Sequence, residues 1–303
     1  MKYVRRRLLH ITRCRGANRR VIRAFLQYDP SLKTIYNLSA NALSITFPIS
    51  YQNALQLKQD LGSKALFDEI KNDLTQFRAI TILDKDYPTI LKTIQDAPLI
   101  LYALGNVSLL KHIPALSVIG TRTPSKEAHA KVSYIVKPLI EGGWMTVSGM
   151  AKGIDGFVHQ LTLEQKGFTI AVLGSGFNHI YPRNHIDLFY QIATKGLLLS
   201  EYPPDTPPRK HHFPERNRII SGLSFGTLVI EATERSGTLI TVDQALDQGR
   251  EVYAVPGSIF HKQTTGCHKM IQDGAKLVRT SEDISQDWHN TSIGLFYQTQ
   301  VND

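Results

Sequence analysis

Long hydrophobic runs are absent from this chain of 303 residues. No apolar stretch approaches the roughly 20 residues that a transmembrane helix needs, and the N-terminus does not contain the apolar core of a secretory signal. Cysteine is scarce, because Cys14 and Cys267 are the only two and they stand far apart without metal-ligand spacing. This usage is typical of reduced thiols in a reducing compartment. We therefore expect a cytoplasmic protein with no membrane partner.

Several catalytic signatures are also missing. The chain contains no G-x-x-x-x-G-K-[ST] phosphate loop and no H-E-x-x-H motif. The adjacent His211 and His212 have no second pair or carboxylate at ligand spacing, so we expect no metal site. The sequence thus predicts no catalytic residues and no metal.

A dinucleotide cofactor is not expected either. Gly174-Ser175-Gly176 looks like the beginning of a G-x-G-x-x-G fingerprint, but His179 occupies the third glycine position. Tyr181-Pro182 follows where a helix should begin, and an isolated G-x-G is weak evidence. We therefore predict no nicotinamide or flavin cofactor.

Acidic residues are absent from the first 28 positions, which contain nine lysines and arginines. Subtracting these nine from the 35 basic residues of the chain leaves 26, which balance the 26 acidic ones. The formal net charge of +9 therefore belongs to one segment. Such a segment favours proximity to a polyanion such as nucleic acid, with a solvated helix face as the alternative.

Two patterns divide the chain. Residues 1–75 place apolar residues at helical spacing, and Arg15-Gly16-Ala17-Asn18 predicts the turn between the first two helices. From residue 115, short apolar runs alternate with helix-length segments, as in βαβ units. The predicted strands are ALSVIG (115–120), WMTVSG (144–149), FTIAVLG (168–174), GLLLSEYP (196–203), GTLVIEAT (226–233) and EVYAVPG (251–257). The fold class predicted is α/β, with a doubly wound, mostly parallel sheet.

Four of these strands end directly in glycine: Gly120, Gly149, Gly174 and Gly257. Ligands bind at the carboxyl ends of strands in open α/β sheets, where glycine permits close approach and helix starts offer N–H groups to anions. We therefore expect a ligand-binding edge. It is rich in phosphate-binding groups and poor in catalytic ones, which favours binding over turnover.

The segment HHFPERNRIISG (211–222) places two arginines at a helix start, where positive charge does not help the helix. A phosphate partner would explain this charge. The alternative for Arg216, Asn217 and Arg218 is that they brace the edge against Glu201 or Glu231. Both interpretations stay open at this stage.

Nine segments follow one another in the order and spacing of the DprA/Smf family, the DNA-processing proteins of natural transformation. The resemblance covers about residues 80–280 and is carried by IGTR (119–122), SGMAKGID (148–155), TIAVLGSG (169–176), YPRN (181–184), SEYPP (200–204), FPERNRIISGLS (213–224), VIEATERSGTLIT (229–241), REVYAVPG (250–257) and GAKLV (274–278). It implies an extended Rossmann-like domain over 76–285, after a small helical domain of the SAM or helix-hairpin-helix kind over 1–75. Residues 286–303 are then expected to be a tail, without a winged helix.

The resemblance also implies a function. The family that this chain resembles binds single-stranded DNA without sequence preference, protects incoming strands, forms homodimers and loads a RecA-type recombinase. The resemblance implies no enzymatic activity. A single-strand-binding protein is a further partner compatible with this role. The DNA-binding residues predicted from the glycines, the helix starts and the resemblance are Gly120, Arg122, Ser148, Gly149, Lys152, Gly174, Gly176, Arg183, Lys210, Phe213, Asn217, Ser236 and Gly237.

Two further expectations concern the dimer and an alternative function. Residues near the end of the core predict a dimer surface, with ordinary core packing as an equal alternative: His268, Met270, Ile271 and Leu277. The alternative function is an enzyme or sensor of small nucleotides, similar to nucleoside-monophosphate hydrolases. For that alternative the comparable loop would be Arg235-Ser236-Gly237-Thr238.

Overall fold

The computed structural model describes residues 2–291, and for Lys2 only the backbone. Contacts within the chain divide the described residues into two units, 2–87 with 96–103 and 88–95 with 104–291. The division into a helical domain over 1–75 and a Rossmann-like domain over 76–285 stays a prediction. The predicted tail lies largely outside the described residues, although helical structure continues to His289.

Six helices and an antiparallel strand pair form the first unit. Its elements are α1 (Lys2–Arg13), α2 (Arg19–Tyr28), α3 (Thr34–Asn37), α4 (Ala40–Thr46), α5 (Tyr51–Leu61), α6 (Lys64–Gln76), β1 (Arg78–Thr81) and the first part of β2 (Ile100–Gly105). Polar side chains begin four of the helices: Asn18, Ser39, Ser50 and Ser63 each accept a hydrogen bond from a backbone N–H in the first turn. The apolar faces of these helices then bury a core that includes Leu8, Phe25 and Leu57.

The predicted turn between α1 and α2 depends on glycine. Gly16 has a φ of +82°, and a Cβ at this position would lie 2.1 Å from the carbonyl oxygen of Asn53. A side chain is therefore excluded on both conformational and steric grounds.

Most arginines of the basic segment have carboxylate partners in the first unit. Arg5 pairs with Asp84 at 2.9 Å, and Arg15 pairs with Asp60 at 2.8 Å. The other pairs are Arg13 with Glu69 and Asp73, and Arg19 and Arg23 with Asp96. The local excess of positive charge in the sequence is therefore largely compensated within the fold, which weakens the case that this segment serves a polyanion.

The second unit is built on a parallel sheet. Its further elements are α7 (Thr89–Lys92), β3 (Ala115–Ile119), α8 (Ala128–Glu141), β4 (Met145–Ser148), α9 (Ile154–Glu164), β5 (Thr169–Leu173), α10 (Ile186–Lys195), β6 (Leu197–Ser200), α11 (His212–Gly222), β7 (Gly226–Val229), α12 (Thr238–Asp247), β8 (Glu251–Ala254), α13 (Thr265–Gln272), β9 (Lys276–Leu277) and α14 (Glu282–His289). Within this unit the strand order is β6-β5-β4-β3-β7-β8-β9, and all of these neighbours pair in parallel. The predicted α/β, Rossmann-like, mostly parallel fold is confirmed.

The strand order reverses at β3. From β3 the chain proceeds outward through β4, β5 and β6, then returns so that β7 pairs with the other side of β3. On one face, α8, α9 and α14 bury alternate strand residues such as Leu116 and Leu228. On the other, α11 and α12 contact each other and lie beside Ile119. A crevice at the carboxyl ends of β3 and β7 follows from this reversal.

Buried hydroxyl groups link neighbouring strands in the second unit. Thr146 Oγ1 lies 2.9 Å from the hydroxyl oxygens of Thr162 and Thr169, and Thr169 Oγ1 lies 2.7 Å from Nδ1 of His159. His159 is fully buried. Burial lowers the pKa of His159 to about 3, and the nearby His185 and Arg216 act in the same direction. The imidazole therefore stays neutral in the folded protein.

Among residues 2–291, no helix combines the length and the apolar character that crossing a membrane requires.

We expect His159 to make stability depend on pH. As pH falls below 6.5, His159 becomes protonated in the unfolded chain but stays neutral in the folded protein, because burial lowers its pKa to about 3. The contribution of His159 to the free energy of unfolding is therefore complete above pH 6.5 and is lost between pH 6.5 and about 3. His159→Asn, which keeps a polar atom near Thr169, should remove this loss. Urea unfolding near pH 7 and pH 5 should show the wild type losing about 2 kcal/mol more than the variant. Equal losses would contradict the prediction.

Candidate nucleic-acid interface

A cleft opens where the strand order reverses. Its cavity has a volume of about 590 Å³ and lies between the loop after β3, the beginning of α11 and the beginning of α12. Seven of the residues predicted from the sequence line it: Gly120, Arg122, Lys210, Phe213, Asn217, Ser236 and Gly237. Segments more than 100 positions apart in the chain therefore meet at one edge of the sheet. We call this cavity the edge cleft.

The loop after β3 carries Arg122 on an exposed tip. A Cβ on Gly120 would lie 2.6 Å from Ile154, and a Cβ on Gly153 would lie 2.4 Å from the carbonyl oxygen of Thr121. Gly153 also has a φ of +78°, a conformation that other residues rarely adopt. The two glycines therefore let the loop pack directly against the beginning of α9.

Aromatic rings form one wall of the edge cleft. The ring centroids of Phe213 and Tyr181 lie 5.4 Å apart, and Cζ of Arg122 lies 5.6 Å from the Phe213 centroid. Gly174, at the end of β5, lies against the same ring, since a Cβ there would be 2.9 Å from Phe213. A cation and two rings are thus presented together on one surface.

Arg216 lies beneath this surface and is 4% exposed. Its Nη1 donates to the carbonyl oxygens of Gly149 and Val172, both at 2.5 Å, and its Nε donates to Oδ1 of Asn217 at 3.1 Å. Burial lowers the pKa of Arg216 to about 10, and Asp155 opposes this shift. The guanidinium therefore remains charged at neutral pH and places positive charge in the floor of the cleft.

Asp155 is the acidic residue that lines the edge cleft in the described structure. It lies in the first turn of α9 and accepts hydrogen bonds from the backbone N–H groups of Gly149 at 3.2 Å and Ala151 at 3.4 Å. Burial raises the pKa of this carboxyl group, although Arg216 acts against the shift. Its role is structural, as its position near a helix start predicts.

The two arginines of HHFPERNRIISG have different partners. Nη2 of Arg218 donates to both carboxylate oxygens of Glu201, at 2.7 and 2.9 Å, which matches the bracing hypothesis. Arg216 instead donates to backbone carbonyls. Glu231 pairs with Lys131, at 2.8 Å. Both arginines are buried, and of the two Arg216 lines the floor of the edge cleft.

A second cavity of about 130 Å³ continues from the edge cleft and shares Arg122, Tyr181, Phe213 and Arg216 with it. Three more predicted residues line this extension: Gly149, Lys152 and Gly174. Lys152 is exposed at its mouth. The positive surface therefore extends across the ends of β4 and β5.

Three predicted residues line neither cavity. Ser148 is fully buried and its hydroxyl donates to the carbonyl oxygen of Val118 at 2.7 Å, which links β4 to β3. Gly176 is buried, and a Cβ there would lie 2.1 Å from the carbonyl oxygen of Pro203. Arg183 is exposed in a short 3₁₀ turn. Ser148 and Gly176 therefore shape the edge from within, and a ligand contact by Arg183 stays a prediction.

The beginning of α12 forms the wall opposite Phe213. Ser236, Gly237 and Thr238 line the edge cleft there. Helix α12 spans ten residues and has no side-chain N-cap, and the N–H of Leu239 in its first turn donates to the carbonyl oxygen of Ser236 at 3.2 Å. Thr238 and Thr241 also line this wall, and neither is among the DNA-binding residues predicted from the sequence.

Tyr181 is a further cleft residue that is not among the DNA-binding residues predicted from the sequence. It is 45% exposed and lies beside Phe213. The motif YPRN contained Tyr181, but the sequence does not show that its ring is exposed. Only its proximity to Phe213, more than 30 positions away, gives it a role.

The predicted dimer residues differ in exposure. Met270 is 4% exposed and belongs to the interior of the second unit, whereas Leu277 is 41% exposed. His268 and Ile271 are half-buried, and Nε2 of His268 lies 3.0 Å from the carbonyl oxygen of Gly257. Met270 therefore fits the core-packing alternative. A dimer surface at this place would be formed by His268, Ile271 and Leu277 without Met270.

Within the described part of the chain, no group of three or more histidine, cysteine, aspartate or glutamate residues is arranged to hold a metal ion.

A family model for DNA recombination-mediator protein A matches residues 78–289. The chain belongs to this family. Sequence comparison agrees, since the chain is 41% identical over 270 residues to DNA processing protein DprA of Bacillus subtilis (strain 168), covering 86% of this chain and 90% of that protein. The resemblance to DprA/Smf proteins is therefore confirmed.

Two solved DprA structures resemble this one. The X-ray structure of DprA from Streptococcus pneumoniae matches with a TM-score of 0.81 and 35% identity, covering 94% of this chain and 96% of that one. DNA processing protein A from Helicobacter pylori, described for its unique single-stranded DNA binding mode, matches with a TM-score of 0.62 and 26% identity, covering 69% and 95%. The DprA fold thus extends over the edge cleft.

We expect Gly149→Ala to destabilise the protein. The added Cβ would lie 2.1 Å from Nη1 of Arg216 and would displace a buried guanidinium from its carbonyl acceptors. The expected loss in the free energy of unfolding is about 2–3 kcal/mol by urea titration. Gly237→Ala is the control, because a Cβ there meets no described atom within 4 Å, and it should change stability by less than about 0.5 kcal/mol. Equal stability of the two variants would refute this account.

Proposed function

We propose that the protein binds single-stranded DNA in the edge cleft without sequence preference, and delivers the strand to a RecA-type recombinase during natural transformation. Family membership supports the recombination role, and the H. pylori relative is described as binding single-stranded DNA. The observation that carries the proposal is the surface formed by Arg122, Phe213 and Tyr181, which joins a cation to two rings in a glycine-lined cleft.

The chemistry of this surface suits an unpaired strand. Arg122, Lys152 and Lys210 are exposed around the two cavities and supply positive charge for phosphates. Phe213 and Tyr181 offer ring faces on which any base can stack, because every base has a π-face. Bases in a duplex are already stacked and paired, so the arrangement favours single strands.

The wall opposite the rings adds uncharged donors. The beginning of α12, with Ser236 and Thr238, lines the same cavity. Such groups hold phosphate without reading sequence. Asn217, held by Arg216 at 3.1 Å, supplies an amide at the cleft floor. We propose that the strand passes between this wall and Phe213.

Binding rather than turnover is the proposed role. Among the described residues that line the edge cleft, the one carboxylate is Asp155, which is buried and already accepts two backbone N–H groups. A general acid or base must reach the group that it protonates or deprotonates. The cleft therefore supports DNA binding better than hydrolysis of a nucleotide.

The first test measures DNA binding by the triple variant Arg122→Ala/Lys210→Ala/Phe213→Ala. We expect its affinity for oligothymidine and for mixed-sequence strands to fall at least about tenfold, because phosphate contacts and a stacking platform are lost together. Fluorescence anisotropy across a salt series should show a slope reduced by about 0.7 for each lost phosphate contact. The same variant should fail to accelerate assembly of a RecA-type recombinase on strands coated with single-strand-binding protein.

Lys195→Ala is the matched control for this test. Lys195 is exposed at the end of α10, just before the amino end of β6 and so at the opposite edge of the sheet. Its loss should leave affinity and salt slope within about twofold of the wild type. Equal DNA affinity of the wild type and the triple variant would overturn the proposal. Release of free base from nucleoside monophosphates by the wild type, but not by the triple variant, would also overturn it.

We also propose that the protein is a homodimer through the segment that follows β8. Exposed apolar side chains cluster along it: Ile259 is 75% exposed, Phe260 is 90% exposed and Leu277 is 41% exposed. Such residues are unusual on the surface of a monomer unless they serve an interface. His268 and Ile271 lie in the same segment.

Leu277→Asp should shift the protein from dimer to monomer in sedimentation equilibrium, because it places an unpaired carboxylate in an apolar contact. Ile45→Asp is the matched control, since Ile45 is an aliphatic side chain of α4 with 77% exposure. It should leave the dimer intact. A wild type that sediments as a monomer at all concentrations would refute the proposal.

A further inference from the structure

Glu231 occupies an unusual place in the second unit. It lies just beyond β7, where the strand order reverses, and it is fully buried. Its Oε2 accepts the backbone N–H of Ser125 at 2.9 Å, and its Oε1 accepts the hydroxyl of Ser125 at 2.6 Å and Nζ of Lys131 at 2.8 Å. Burial alone would raise the pKa of Glu231, but the hydrogen bonds from Lys131 and Ser125 hold it below its ordinary value. The carboxylate of Glu231 is therefore charged at neutral pH, and both of its oxygens accept hydrogen bonds.

The backbone of Glu231 holds the other end of the same loop. Its carbonyl oxygen accepts the N–H of Thr121 at 2.8 Å. One residue thus fixes the segment 121–125 at its first and last positions. On the other side, the carbonyl oxygen of Thr121 accepts the N–H of Ile154 at 3.3 Å. The loop is clamped between the end of β7 and the beginning of α9.

Arg122 lies between these anchors. In the described part of the chain, no acceptor or carboxylate lies within hydrogen-bond or ion-pair distance of its guanidinium, whose carbon lies 5.6 Å from the centroid of the Phe213 ring. The direction in which Arg122 projects is therefore set by the backbone of its loop. A long, unpaired side chain on a loosened loop would sample many directions and would lose more entropy on meeting a phosphate.

We propose that Glu231, with Lys131 as its counter-ion, is a positioning residue that aims Arg122 across Phe213 and into the edge cleft. This inference rests on the proposed function, because the contact that it improves is the contact of Arg122 with single-stranded DNA. Glu231 itself touches no DNA and acts through the loop.

A double-mutant cycle tests the inference. Glu231→Gln keeps the shape of the side chain but removes its charge. The NH₂ group of the new amide faces one of the groups that donate a hydrogen bond to the carboxylate, so that hydrogen bond is lost. We expect Glu231→Gln to weaken oligothymidine binding by about fivefold in the full chain, whereas in the Arg122→Ala background the same change should have no further effect on affinity. Its effect on the melting temperature should be equal in both backgrounds. A role in stability alone would not produce this difference.

Glu201→Gln is the matched control. Glu201 lies just beyond β6 and pairs with Arg218, so its loss also breaks a shielded ion pair at a strand end. Its carboxylate is held by Arg218 of α11, so its effect on DNA affinity should be less than about twofold and the same with or without Arg122. Should Glu231→Gln fail to fold, Ser125→Ala removes the 2.6 Å bond from the loop side and should show the same coupling to Arg122.

The outcomes are distinguishable. If the wild type does not bind single-stranded DNA, or if Arg122→Ala binds as well as the wild type, the proposed function fails. If Arg122 matters but Glu231→Gln and Ser125→Ala bind like the wild type, or weaken binding equally without Arg122, the positioning role is overturned while the function stands.

Discussion

The parallel pairing of β3 with a strand on each side is the constraint on which the rest of the second unit depends. Because β4 and β7 lead the chain in opposite directions from β3, the segments after β3 and β7 separate and leave a crevice. The loop with Arg122 and the beginning of α12 are the two sides of that crevice. Helix α11, which returns the chain from β6 to β7, brings Phe213 and Arg216 to it.

The charged side chains of the crevice differ in how deeply they are buried. The guanidinium of Arg216 is buried and held by two backbone carbonyls, Asp155 is buried and held by backbone N–H groups, and Arg122 is exposed at the cleft beside the ring of Phe213. Buried charges that lose a partner are strongly destabilising, so the inner groups are fixed by the fold. The outer arginine is exposed, and its donors are accessible from solvent. This division explains how one edge contains several charges and still presents a positive surface.

The sequence was a good guide to the second unit. Each near-continuous apolar run became a strand buried on both faces, as Ala115–Ile119 and Thr169–Leu173 illustrate, because a parallel strand covered by helices needs apolar residues at every position. The basic N-terminal segment was harder to interpret. The acidic partners of Arg5 and Arg15 lie 79 and 45 positions away, so a local count of charge showed an excess that the folded unit largely neutralises.

Residue order alone established the α/β class, the glycines at the strand ends and the segments that approach the edge of the sheet, since periodicity and backbone freedom are local properties. The roles of individual arginines are not local. Arg122, Arg216 and Arg218 are chemically identical, yet one faces the cleft, one binds carbonyls and one pairs with Glu201. Their partners come from segments that only the packed sheet brings together, and the depth at which each guanidinium lies sets its role.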